Sequence, residues 1–200
     1  TSAFLLTDVN EANLATNPND PEGILVLNTV DISDFRDITI SFKVAATGDL
    51  EPTEDYLLFD YALDADINTT YTLFKSFQTN GSGDLEEDTD LNLLADNGGT
   101  TLGSDMLTFS FSLPTNADAI QLRIRGSNTV AAERFIVDSL TISGVNYPEL
   151  QTVFPANGTA SVSPNAETLK LSFDEPVTFG TGNIVLQQDD GSGVLNGTFA

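Results

Sequence analysis

Apolar and polar residues alternate in short runs along much of this 200-residue chain. Residues 38–44 read ITISFKV, so that apolar side chains occupy every second position. A period of two places the apolar side chains on one face of a β-strand and the polar ones on the other. The same pattern runs through residues 107–113 and 120–124. These three segments are predicted to be half-buried sheet strands.

Other short runs bounded by Gly, Asn, Asp and Pro extend the pattern, whereas no window repeats apolar residues at helical spacing. Many short strands separated by polar loops are typical of a β-sandwich or jelly roll. The chain is therefore expected to be all-β. Further strands are predicted at residues 4–8, 23–30, 56–63, 70–77 and 134–143.

A second block of strands follows the connection at residues 145–150, which contains Tyr147 and Pro148. Its pieces VFPANG (153–158), LKLSFDEPV (169–177) and GTGNI (180–184) stand in the order and spacing seen in bacterial Ig-like domains first associated with S-layer proteins. The block resembles that family. The resemblance implies a spacer or interaction module of a surface protein.

The first block resembles the jelly-roll modules of large secreted bacterial proteins. The resemblance rests on VDIS (30–33), EDY (54–56), LRIR (122–125) and FIVDSL (135–140), and it spans most of residues 1–144. It implies a jelly-roll-like β-sandwich and an exported, extracellular location. Such modules accompany hydrolases, nucleases and adhesins, so an activity does not follow from the fold.

The expected organisation is therefore a jelly-roll-like sandwich (1–144), a linker (145–150) and part of an Ig-like sandwich (151–200). An Ig-like domain needs roughly 100 residues and about seven strands. The second domain is accordingly expected to be incomplete, and the chain to be a fragment of a larger multidomain protein. Other domains of the same polypeptide are then its first expected partners.

The amino-acid composition excludes several classes of catalytic site, metal site and binding partner. The chain contains no Cys and no His, which excludes Ser-His-Asp and Cys-His catalysis, thiolate metal sites and His-ligated zinc. Thirty acidic residues against seven basic ones give a net charge of -23, which repels nucleic acids and anionic lipid surfaces. No stretch approaches the ~20 apolar residues of a transmembrane helix, so direct membrane insertion is not expected.

Two acidic loops are candidate calcium sites. Asp64, Asp66 and Asn68 reproduce the D-x-D-x-N opening of a calcium loop, but Thr69 and Lys75 replace the Gly and the Glu that an EF-hand requires. A polar hairpin loop is the better interpretation of this segment, because such loops often contain Asp and Asn.

Asp88 and Asp90 repeat this spacing inside the acidic run 84–96, which also reads as a solvated loop. We expect a structural calcium ion in the first domain, and either of the two acidic loops is a candidate to hold it.

Asp138 is predicted to be buried, because strict alternation puts it on one face with Leu140. A buried carboxylate requires a partner, and the candidates are Arg123 or Arg125 on a neighbouring strand, or a calcium ion near the strand end. On this interpretation, replacing Asp138 destabilises the fold more than replacing Asp88 does.

The leading interpretation is a non-catalytic structural or adhesive module of a bacterial cell-surface or secreted protein, with surface glycans or neighbouring surface proteins as further candidate partners. The alternative is a carbohydrate-binding accessory module of a secreted hydrolase or other secreted enzyme. A glycosidase requires two carboxyl groups facing one cleft, for which Glu51, Glu54, Asp55 and Glu133 are the candidates. The lack of Trp disfavours a sugar cleft of that kind.

Overall fold

A computed structural model describes residues 22–51, 54–96, 98–114, 116–128, 132–156 and 169–178, together with the backbone of residues 4–6, 186–189 and 195–199. The chain divides into two compact units, 1–147 and 148–200. The division falls inside the segment 145–150 that the sequence suggested as a linker. Each unit is described by itself.

Strands make up nearly all the regular structure of the described residues, with one 3-10 turn at Asp64–Asp66. The strands are β1 Phe4–Leu6, β2 Gly23–Val26, β3 Val30–Asp31, β4 Phe35–Thr47, β5 Tyr56–Leu63, β6 Thr72–Thr79, β7 Leu85–Asp88, β8 Leu107–Ser112, β9 Ala119–Ser127, β10 Arg134–Asn146, β11 Leu150–Phe154, β12 Lys170–Phe173, β13 Leu186–Asp189 and β14 Leu195–Phe199. The described residues contain no helix long and apolar enough to cross a lipid bilayer.

The first unit is a sandwich of two antiparallel sheets. The smaller sheet has the order β1-β10-β4-β8. The larger sheet has the order β2-β9-β5-β6-β7, and β3 also pairs with β9. The prediction of an all-β sandwich is therefore confirmed.

Aromatic rings fill the space between the two sheets. Phe42 of β4 stacks on Phe59 of β5 with ring centroids 4.2 Å apart, which joins the smaller sheet to the larger one. The alternating residues of the three strands predicted first face this layer as expected. The rings around this pair are Tyr61, Phe74, Phe77, Phe109 and Phe111.

A bulge in β10 reverses which side chains face the core. Phe135 and Val137 are buried before it, and Leu140 packs against the core after it. At the bulge, Ser139 has a φ of 53° and the register with β4 shifts. The prediction that Asp138 shares the buried face with Leu140 is wrong, because the bulge inserts an extra residue between them and breaks the alternation.

The acidic run 84–96 is also partly a strand. Leu85–Asp88 forms the edge strand β7 and pairs with β6, so the prediction of a solvated loop is wrong for these four residues. The outer edge of β7 is covered by residues 100–102, since the Glu87 N–H donates to the Thr100 carbonyl and the Leu102 N–H donates to the Leu85 carbonyl. Leu85 is completely buried and fixes the strand to the core.

The second unit contains two antiparallel strand pairs within its described residues. β11 pairs with β12, where Val153 lies opposite Leu171, and β13 pairs with β14. The described part of the second block therefore contains strands, as its sequence pattern indicated. Residues 157–158 and 180–184 of the Ig-like resemblance lie outside the described residues, and the assignment to that family stays a prediction.

Replacing Phe42 by Ala should destabilise the first unit by about 3–5 kcal/mol, because it empties the centre of the aromatic layer. Leu94→Ala is the matched control, since Leu94 is 63% exposed and its loss should change stability by no more than about 0.5 kcal/mol. Urea unfolding followed by circular dichroism measures both. Similar losses for the two variants would contradict the core described above.

Candidate functional site

Polar groups from both sheets meet at one end of the sandwich. Thr47 at the end of β4 pairs with Arg134 at the start of β10 in the smaller sheet. In the larger sheet, Tyr56 at the start of β5 pairs with Ser127 at the end of β9. The segment between β4 and β5 and the segment between β9 and β10 therefore lie at the same end.

These segments bring together the carboxylates of Glu51, Asp55 and Glu133. One oxygen from each lies within 4.8 Å of the other two. Asp55 is 1% exposed and Glu133 is completely buried. The Asp55 Oδ2 accepts a hydrogen bond from the Glu51 N–H. The buried Asp55 Oδ1 has no hydrogen-bond partner within the described part of the chain.

The backbone around the cluster is tightly held. Gly48 has a φ of +124°, and a Cβ at this position would lie 2.6 Å from the Glu133 Cγ. The Asn128 Nδ2 donates a hydrogen bond to the Glu133 carbonyl at 3.0 Å, and the Thr79 hydroxyl donates to the Asp55 carbonyl at 2.6 Å. The carboxylates are therefore held together by packing and hydrogen bonds to their backbone.

The environment of the cluster raises the pKa of the Asp55 carboxyl. Burial raises the pKa of its carboxyl from 3.8 to about 7, against the opposing effect of the hydrogen bond from the Glu51 N–H. The negative charges of Glu133 and Glu51 raise this pKa further. The cluster therefore binds a proton near neutral pH unless another positive charge enters it.

A second polar arrangement covers the outer face of the larger sheet around Asp60. Asp60 is 1% exposed, and its Oδ2 accepts hydrogen bonds from Arg123 Nε at 2.9 Å and Arg125 Nε at 2.6 Å. Its Oδ1 accepts a third from Arg125 Nη2 at 3.1 Å. The Arg125 Nη1 also binds Glu22 at 3.1 Å.

The predicted pair of Asp138 with Arg123 or Arg125 is not formed among the described residues. Both arginines lie on β9 of the larger sheet and bind Asp60, whereas Asp138 lies on β10 of the smaller sheet. Its Oδ1 accepts the N–H of Ser139, the neighbouring residue. A signal for Asp60 was present in the sequence, since it is a lone carboxylate inside the apolar strand YLLFDYAL.

A pocket of about 310 Å³ lies beside the Asp60 arrangement. Its size falls within the roughly 300–1,000 Å³ that small-molecule sites occupy. In the same face, the Arg123 guanidinium lies 4.0 Å from the centre of the Tyr71 ring, and the Tyr71 hydroxyl bonds to Gln121. The pocket is lined by Glu22, Tyr56, Leu58, Gln78, Leu93 and Arg125.

The first predicted calcium loop forms the 3-10 turn between β5 and β6. Asp64 and Asp66 are exposed, and the Asp64 Oδ1 accepts the N–H groups of Asp118 and Ala119 at 2.9 Å each. Asp64 thus ties this turn to the start of β9. The close groups of three acidic residues within the described ranges do not include Asp64, Asp66 or Asn68. A calcium ion on this loop stays a prediction.

The second predicted loop does gather its carboxylates. Asp88 and Asp90 lie with Asp96 in a group whose oxygens are within 4.8 Å of one another. Asp88 is completely buried and accepts the N–H groups of Asn92 at 3.2 Å and Leu93 at 2.9 Å. Asp88 therefore fixes the backbone of Leu93, which lines the pocket. The prediction that Asp88 lies in a solvated loop is wrong, because its side chain is buried.

No protein-family model matches the chain, and no curated protein matches its sequence. Among solved structures, the chain is similar to one described as "Family 16 Carbohydrate Binding Module-2". The similarity covers 70% of this chain and 75% of the other, with 12% sequence identity and a TM-score of 0.36. A similarity of this size does not assign a function.

Replacing Asp60 by Ala should cost about 2–4 kcal/mol of unfolding free energy, because two partly buried arginines lose their shared acceptor. Asp138→Ala is the control and should cost less than about 1 kcal/mol, since that carboxylate is partly exposed. Chemical denaturation measures the difference. A larger loss for Asp138 would show that the strand faces are assigned incorrectly.

Without divalent cations, the Asp55 carboxyl should make the folded state less stable as pH rises from about 4 to 7. Its folded pKa of about 7 lies above the ordinary 3.8, so the folded state holds a proton that the unfolded state has released. The Asp55→Asn side chain is neutral at every pH tested. This variant should therefore be more stable than the unchanged protein at pH 8. Denaturation in chelator at pH 5 and pH 8 measures this, and parallel changes in both proteins would contradict it.

Proposed function

We propose that the first unit is a non-catalytic carbohydrate-binding module, and that its site is the pocket on the outer face of the larger sheet. The observation that carries the proposal is the composition of this pocket. Its lining combines one aromatic ring, two leucines and three hydrogen-bonding side chains.

Sugars present two kinds of surface to a protein. Their C–H groups pack on apolar and aromatic side chains, and their hydroxyls exchange hydrogen bonds with polar ones. Tyr56, Leu58 and Leu93 offer the first kind of contact. Gln78, Arg125 and Glu22 offer the second kind. A pocket of this mixed character suits a polyhydroxylated ligand better than a purely apolar one.

The charges of the site favour a neutral sugar. Among the lining residues, Arg125 supplies one positive charge and Glu22 supplies one negative charge in contact with it. The pocket is therefore balanced in charge, while the whole chain carries a net charge of -23 that repels anionic polymers. Neutral oligosaccharides are the ligand class that fits both facts.

The same contacts favour binding over hydrolysis. Glycoside cleavage needs one carboxyl group protonated as an acid and a second group free to act on the sugar or on water. Asp60 is almost inaccessible and accepts hydrogen bonds on both oxygens, and Glu22 is ion-paired with Arg125. In the cluster of Glu51, Asp55 and Glu133, two of the three carboxylates, Asp55 and Glu133, are too deeply buried to meet a polymer.

An exported, extracellular setting accompanies this proposal, because the chain resembles modules of secreted bacterial proteins and its acidic surface suits a soluble exported protein. The module would then bring other domains of the same polypeptide to a glycan surface. A purely structural or adhesive role is the competing interpretation.

The test is titration calorimetry with neutral oligosaccharides built from glucose, galactose, mannose or xylose, with a polyuronate for comparison. We expect saturable binding of at least one neutral ligand and weaker binding of the polyuronate. Tyr56→Ala and Gln78→Ala should each weaken binding about tenfold or more, which corresponds to about 1.4 kcal/mol.

Tyr147→Ala is the matched control, because this tyrosine is exposed and lies outside the pocket. Its affinity should equal that of the unchanged protein. Circular dichroism verifies that the variants fold. Absence of binding to every neutral ligand, or equal affinities for all variants, would leave the structural or adhesive role as the better account.

A further inference from the structure

The buried cluster of Glu51, Asp55 and Glu133 has no function in the glycan pocket. Three carboxylates lie within 4.8 Å of one another, and two of them are withdrawn from water. Burying like charges at this distance is costly unless a positive charge or a proton compensates. We propose that this cluster binds one calcium ion.

A second observation points to a ligand rather than to a surface cluster. The Asp55 Oδ1 is buried and has no hydrogen-bond partner within the described part of the chain, although its Oδ2 is bonded to the Glu51 N–H. Buried carboxylate oxygens are rarely left unsatisfied. A cation bound among the three carboxylates would satisfy Oδ1.

The electrostatic environment agrees with this assignment. The charged groups that act on the Asp55 carboxyl are Glu133 and Glu51, and both are negative. A divalent cation placed among the three carboxylates would compensate these like charges. The cation would therefore remove a repulsion that the fold creates by beginning β5 and β10 at the same end of the sandwich.

The available ligands select the kind of ion. Every donor in the cluster is oxygen, and the chain has no Cys or His to favour zinc or copper. Magnesium gives up its waters reluctantly and demands near-octahedral geometry, whereas calcium accepts six to eight oxygens in flexible arrangements. A buried group of three carboxylates therefore fits calcium better than magnesium.

The acidic group of Asp88, Asp90 and Asp96 differs from this cluster, because its carboxylates already accept hydrogen bonds. Asp88 already accepts two backbone N–H groups, and Asp96 accepts the N–H and hydroxyl of Thr89. Asp90 is exposed and bonds to Asn92. These carboxylates are satisfied without a cation, so this group serves as the internal control.

The experiment compares thermal melting of the whole chain in excess chelator and in saturating calcium chloride at pH 7.5. The melting temperature of the first unit should rise by about 5 °C or more with calcium, and by less with magnesium. Calorimetry with calcium chloride should show one high-affinity site per chain.

Asp55→Asn and Glu133→Gln keep the shape of each side chain while removing one charge. Each should lower calcium affinity at least about tenfold and abolish most of the calcium-induced shift. Each should also melt at or above the temperature of the unchanged protein in chelator, because the repulsion is relieved. That second readout separates a lost ligand from a damaged fold.

Asp90→Asn is the control and should keep the full calcium response. Equal melting of the unchanged protein in calcium and in chelator would overturn the proposal. So would a full calcium response in Asp55→Asn, or the loss of the response in Asp90→Asn, which would place the ion in the other acidic group. Glycan binding has its own assay, so the two proposals fail separately.

Discussion

The structure of the first unit depends on the aromatic layer between its two sheets. The stacked pair of Phe42 and Phe59 connects the central strand β4 of one sheet with the central strand β5 of the other. The chain has no disulfide to support this contact, so burial of apolar surface supplies the main stabilising free energy. Once this layer sets the spacing of the sheets, the positions of the strand ends and outer faces follow.

The polar groups of the unit are arranged around that layer in two ways. On the outer face of the larger sheet, Asp60 is buried together with arginines, so its charge is compensated by its neighbours. At the strand ends, Asp55 is buried beside other carboxylates, so its charge is not compensated by them. The first arrangement pairs opposite charges on an outer face, and the second places like charges together, which is the basis of the calcium proposal.

The two sites meet at the start of β5. Asp55 belongs to the acidic cluster and Tyr56, the next residue, lines the pocket. Successive residues point in different directions where a strand begins, so one short segment contributes to both the interior and the outer face.

Alternation of apolar and polar residues was enough to predict the all-β class, the main strands and the core-facing residues of β4 and β9, because a pleated strand enforces a period of two. The same rule failed at Asp138, where a bulge adds a residue, and at Asp88, where an acidic segment pairs as an edge strand. Neither irregularity has a local signal, because each depends on the neighbouring strand. The absence of Cys and His likewise excluded whole classes of chemistry from composition alone.

Only the tertiary structure decided which charges meet. The calcium-like spacing at Asp64 is local in sequence, yet within the described part of the chain it gathers no close group of three carboxylates. Asp55 and Glu133 are far apart in sequence but adjacent in space, because their strands begin at the same end of the sandwich.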